Sequence, residues 1–151
     1  MIDPFVARLS AGVAAAALLT IAGVHGYWAL GGFWPGHDRD SLSRTVVGGP
    51  SGMRGPSAAA TWGVAAILVG AAVAVLGVAG LVPVPIDPWL NRTAVLGGAG
   101  VLLARGLEGF MDTLLRPQTV GSPFVTLNRR FYSPLCLVLA LLTWLAVSRD
   151  A

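Results

Sequence analysis

The chain contains no lysine, and only 11% of its 151 residues are charged, far below the roughly 25% of a typical soluble domain. So few charges argue against a water-soluble monomer. The cations are ten arginines, set against seven acids for a net charge of +3. They are scattered between apolar blocks and form no basic stripe with interleaved aromatics, which excludes a nucleic-acid surface. The single cysteine, Cys136, excludes an internal disulfide and a cysteine-based zinc cluster, and it leaves the redox compartment open. Of the two histidines only His25 falls in an apolar block, so a metal or pigment site in the membrane would lack a second histidine ligand. No metal is expected. The strict apolar–polar alternation of a β-barrel is also absent.

Hydrophobic residues make up 55% of the chain and come in long blocks. A helix needs about 20 apolar residues to cross the hydrocarbon layer. Four blocks reach or approach that length, at about residues 5–32, 57–82, 91–115 and 131–147. They predict an all-α integral membrane protein, a single domain over residues 1–151 built as a four-transmembrane-helix bundle. The first block runs past the 7–15 residues of a signal-peptide core into aromatics, which favours a retained span over a cleaved leader. The connections are 33–56, 83–90 and 116–130. The first is rich in Gly, Pro, Ser and charge. "PS" at Pro56 and Ser57 offers a helix start, and Ala66, Gly70 and Ala74 recur every four positions along the second span, a face that lets another helix approach closely. The prolines of "PVPIDP" cannot continue that helix.

Four spans place both termini on one side and the two long connections on the other. The loop side carries Arg39, Arg44, Arg54, Arg116, Arg129 and Arg130, against Arg8, Arg92 and Arg149 on the terminal side. The positive-inside rule then puts those loops in the cytoplasm and the protein in the inner (plasma) membrane.

The polar residues inside the spans are few and concentrated. "ARGLEGFMD" spaces Arg105, Glu108 and Asp112 three and four apart, on one face of a helix. A charge at mid-bilayer costs about 2.5–3.5 kcal/mol on insertion scales, so this ladder is expected to face the protein interior, with Arg105 and Glu108 as partners. "HGYWALGGFWP" puts His25 and Trp28 on one face near the end of the first span. "RRFYSPLC" brings Arg129, Tyr132 and Cys136 to similar depth, and Trp62 opens the second span there. A pocket lined by His25, Trp28, Arg105, Glu108 and Tyr132 is expected, with Asp112, Arg129, Cys136 and Trp62 around it. The competing reading makes the ladder a helix-packing ion pair and His25 and Trp28 ordinary packing and interfacial residues.

Other signals are weaker. "HDRD" holds ligand-type residues without ligand spacing and reads as a solvated loop. "GGPSGMRGPS" lacks the lysine and hydroxyl of a phosphate loop. A cysteine in apolar surroundings, such as Cys136, is expected to be inert.

"HGYWALGGFWP", "RGLEG" and "SPFVTLNRRFYSPLC" occur in this order over nearly the whole chain. In these stretches the sequence resembles the bacterial membrane-protein family catalogued as domain of unknown function 3995, and "YSPLC" is the most specific piece. The resemblance implies four membrane helices and no assigned activity or cofactor.

Two functions compete. One is an intramembrane pocket for a lipophilic or amphipathic small molecule: Arg105 would hold an anionic or carbonyl oxygen, Glu108 would orient Arg105 or accept a proton, and His25 with Tyr132 would donate or relay protons. The other is a non-catalytic accessory subunit, or a homo-oligomer, whose small-residue faces pack on membrane-protein partners. Neither names a reaction or a cofactor.

Overall fold

Short capping motifs set the helix starts. Asp3 accepts from the Phe5 amide (2.7 Å) ahead of Pro4, opening α1 (Pro4–Ala29). Ser57 accepts from the Ala60 amide (3.2 Å) and opens α3 (Ala58–Val78), as "PS" predicts. Asp87 accepts from the Trp89 and Leu90 amides (2.8 and 3.3 Å) ahead of Pro88, opening α4 (Pro88–Glu108). Each side chain takes up an amide that the helix itself cannot satisfy, and the proline sits where its missing N–H costs nothing. The computed structural model describes residues 2–50, 52 and 55–148. Arg54 and Arg149, both counted in the loop-charge argument, lie outside the described residues.

The first long connection holds a helix, α2 (Arg39–Val46), where the sequence suggests only loop. Its start is a reciprocal capping box: the Ser41 amide donates to Asp38 (2.8 Å) and the Asp38 amide donates to the Ser41 hydroxyl (3.1 Å). The Ser41 amide first, and then the Ser41 hydroxyl, hold the Asp38 carboxyl below its ordinary 3.8. In the second long connection α5 (Asp112–Leu115) and α6 (Pro123–Leu127) lead through a wide turn, Asn128–Tyr132, into α7 (Ser133–Val147). Pro134 has no N–H to give to the Arg130 carbonyl, and its ring crowds that carbonyl. A wide turn just upstream, closed by the Ser133 amide on the Asn128 carbonyl, relieves the conflict. The helix therefore runs on from Pro123 to Val147, well above the expected start at Phe131.

The four longest helices described pack side by side. α1 lies against α3 and α7, and α4 lies against α7 and α3. The joint core is narrow and rich in alanine: Ala11, Ala14, Ala15 and Leu18 of α1 meet Ala72 and Val75 of α3 and Leu139 and Ala146 of α7. Small side chains let the backbones approach closely, which suits packing in lipid, where the hydrophobic effect does not drive helices together. Large apolar residues point outward instead, among them Ile67 (72% exposed), Val101 (69%) and Leu141 (55%). In water such a surface would be an aggregation hazard; in a bilayer it faces acyl chains.

Pro4–Ala29, Ala58–Val78 and Pro123–Val147 are long and apolar enough to cross a membrane. All described secondary structure is helical, and the chain is a helical membrane protein. α4 has the length, about 31 Å at 1.5 Å per residue, but Asn91, Arg92, Arg105 and Glu108 make it less apolar than the other three. Its polar start is held inside the protein: Asn91 Nδ2 donates to the Ala74 carbonyl (3.2 Å) and Arg92 Nη1 to the Val147 carbonyl (2.8 Å).

Candidate functional site

At the end of the bundle where both long connections lie, a cavity of about 770 Å³ opens between the last turns of α1, the α2 connection, the start of α3, and the turn into α7. Its wall is mostly apolar. His25, Trp28, Arg39, Ser43, Arg105 and Tyr132 supply the main polar groups, and Cys136 also lines it. Among the described residues, no aspartate or glutamate lines it.

The two α1 residues are fixed by local bonds. His25 Nδ1 lies 2.9 Å from the Ile21 carbonyl. A carbonyl can only accept, so Nδ1 carries a proton and donates to it, leaving Nε2 as the ring nitrogen not engaged by that bond. The Trp28 indole donates to the Trp34 carbonyl at 2.6 Å, which folds the connection back over the helix end, and its ring packs on His25 with centroids 5.0 Å apart. Tyr132 is held from behind by Phe124, centroids 6.1 Å apart.

Arg105 does not pair with Glu108. Its Nη2 donates to Asn128 Oδ1 at 2.9 Å, and Asn128 is itself fully buried, donating to the Gly109 carbonyl (3.3 Å) and accepting from Ser133 Oγ (3.3 Å). Two glycines allow this. A Cβ on Gly106 would meet Leu137 at 2.6 Å, and one on Gly109 would meet Ser133 Oγ at 1.8 Å and Arg105 Nη1 at 3.0 Å. The turn into α7 thus seats on the glycine face of α4 and presents Asn128 to the guanidinium before Glu108 can reach it. Arg105 Nη1 is buried without a hydrogen-bond partner among the described residues. Glu108 is half-buried, forms no ion pair among the described residues, and is not among the cavity-lining residues.

The ladder of three charges is broken. α4 ends at Glu108 with Gly109 as its cap, and tight turns through Phe110 and Met111 carry Asp112 into the separate α5. Asp112 is fully buried, paired with Arg116 and accepting from Thr119 Oγ1 (3.1 Å), and Arg116 stacks 5.1 Å over the Phe124 ring. This cluster ties down the second connection and is not part of the cavity wall. Arg129 donates to Thr113 Oγ1 (3.0 Å) on an exposed surface. Trp62 lies on the outside, packed across Gly26 in an apolar groove between α1 and α3. His25, Trp28, Arg105, Tyr132 and Cys136 therefore share one cavity, whereas Glu108, Asp112, Arg129 and Trp62 stand apart from it.

The profile of the family described as "protein of unknown function (DUF3995)" matches residues 18–143, nearly the whole described chain. The chain belongs to that family. The match takes in every lining residue of the cavity from Thr20 to Cys136. No curated protein and no solved structure gives a significant match.

Sequence reasoning missed Asn128, Ser43 and Arg39. Asn128 and Ser43 are neutral residues in polar stretches and carry no periodic signal. The Gly106–Gly109 pair, three apart on the helix that carries Arg105, is a readable sign of close helix approach on that face.

Proposed function

We propose that this protein spans the membrane four times and binds a lipophilic molecule with a polar head in the cavity beside Arg105. The cavity itself carries the reading: its volume lies within the roughly 300–1,000 Å³ of small-molecule sites, and an apolar wall with a few convergent polar groups is what such sites present. α4 crosses with the others in this reading, since Asn91 and Arg92 are bonded inward at one end and Arg105 is turned to the cavity and to Asn128 at the other. Apolar side chains hold the tail, Arg105 orients the head, and His25 Nε2 and the Tyr132 hydroxyl are placed to exchange a proton with it. The arginine-rich connections lie in the cytoplasm, and the membrane is the inner (plasma) membrane.

Native mass spectrometry of the full chain, released from mild detergent, tests this. A lipophile bound one per chain is expected, and Val24→Trp, which fills the cavity from α1, is expected to abolish it while the protein remains folded. A mass spectrum of bare protein for both would overturn the reading.

The accessory-subunit alternative is favoured by one observation: Ala66 and Gly70 of α3 are exposed, and a side chain added at Gly70 would meet nothing within 4 Å. That surface has room for a partner helix. A stoichiometric second polypeptide in the same mass spectrum would support it.

A further inference from the structure

We infer that the head group taken by this cavity is an anion, the carboxylate or phosphate of a single-chain amphiphile, with Arg105 and Ser43 among its donors. The inference rests on the cavity reading above and specifies its ligand. Among the described residues three buried side-chain polar atoms lack a hydrogen-bond partner: Ser43 Oγ, Asn91 Oδ1 and Arg105 Nη1. Ser43 and Arg105 line this cavity, on walls contributed by different elements, and Asn91 lies at the opposite end of the bundle. Of the two atoms left over at the cavity, Arg105 Nη1 can only donate and Ser43 Oγ can donate through its hydroxyl. Ser43 is 4% exposed, so water does not readily satisfy it. A buried donor without an acceptor is costly, and a ligand oxygen is the economical way to satisfy it.

Charge points the same way. Arg39 and Arg105 are both in the lining, and no carboxylate is. The protein partner of Arg105 is a neutral amide, and Glu108, three residues along the same helix, makes no ion pair. A guanidinium facing an apolar cavity without a counter-charge selects an anionic oxygen, which it meets in a planar fork, over a neutral hydroxyl or an amine. One tail suits the volume, which is that of a single small-molecule ligand.

The test is equilibrium binding of radiolabelled hexadecanoate, hexadecyl phosphate, hexadecanol and hexadecylamine to the purified full chain in an uncharged detergent, with empty micelles subtracted. At least one anion is expected to bind one per chain, roughly tenfold or more tighter than the alcohol of equal length, the worth of a charge-assisted hydrogen bond. Which of the two anions binds tells carboxylate from phosphate. Arg105→Met is expected to bring the anion-to-alcohol ratio to about one, Arg105→Lys to keep part of it, and Ser43→Ala to weaken the anion a few-fold while leaving the alcohol unchanged. Should Arg105→Met not fold, the wild-type ratio and Ser43→Ala still decide. Equal binding of alcohol and anions, or a preference for the amine, overturns the anionic head and leaves the cavity reading standing. No binding by any of the four overturns both.

Discussion

A guanidinium inside an apolar body needs acceptors, and at Arg105 the protein supplies one, the side-chain oxygen of Asn128. The residue that the sequence offers as its partner is Glu108, because helical spacing is visible in a string of letters. Asn128 is 23 positions away, and only the seating of one helix on the glycines of another brings it near. That is why the cavity side of α4 was legible and the pairing was not. The difference is measurable. In a double-mutant cycle on thermal unfolding, Arg105→Met and Asn128→Leu are expected to couple by about 0.5–3 kcal/mol, whereas Arg105→Met and Glu108→Gln are expected to add. Gly109→Ala should cost about 1–3 kcal/mol by overpacking, since its new methyl would land on Ser133. An unfolding temperature equal to wild type for Gly109→Ala would mean that this close approach does not exist.

At the scale of elements, the helix start at Ala58 was legible, because a Ser before an apolar run states its own hydrogen bond. The Asp–Pro starts at Pro4 and Pro88 obey the same chemistry, but the second falls inside the stretch 83–90 that reads as a connection. Other features were not legible. Pro134 announces a disturbed helix but does not reveal that the chain accommodates it with a wide turn, extending the last helix back to Pro123. Asp112 reads as a continuation of the α4 face, and only the turn at Gly109 shows that it belongs to another element. There Asp112 anchors the second connection through Arg116, whose side chain is 32% exposed. Asp112→Asn should therefore cost roughly 2–3 kcal/mol, less than the 3–5 of a fully buried broken pair, and should open the segment around residues 112–124 to proteolysis. α2 is expected to respond to acid. The Asp38 carboxyl is lowered by its bonds from Ser41, so its stabilisation is full above the ordinary value of 3.8 and fades as pH falls through the lowered folded value. Faster hydrogen exchange at the Ser41 amide in that acid range, abolished in Asp38→Ala, would register it.

For the whole molecule, the outward placement of large apolar side chains and the alanine-rich interior belong to a protein solvated by lipid. Composition made that plain, and three of the spans with it. α4 sits at the margin because it carries the polar groups of the site, so the features that make it interesting also dilute its membrane signal. Single cysteines in a Cys136→Ala background address its crossing. Positions 44 and 121 are expected to label from one face of the membrane and positions 3 and 86 from the other. Position 86 reacting from the same face as 44 would deny the four-span arrangement.

The central claim is that the space beside Arg105 is occupied by a ligand in the native membrane. Electron cryo-microscopy of the full chain in nanodiscs prepared from its own membrane, enlarged by a rigid antibody fragment, looks there directly. Elongated non-protein density is expected between α1, α2 and α7, with its polar end within hydrogen-bonding distance of Arg105 and its tail along Val24 and Leu135. A tightly closed, dry interface at that place, with Arg105 fully bonded to protein groups, would contradict it.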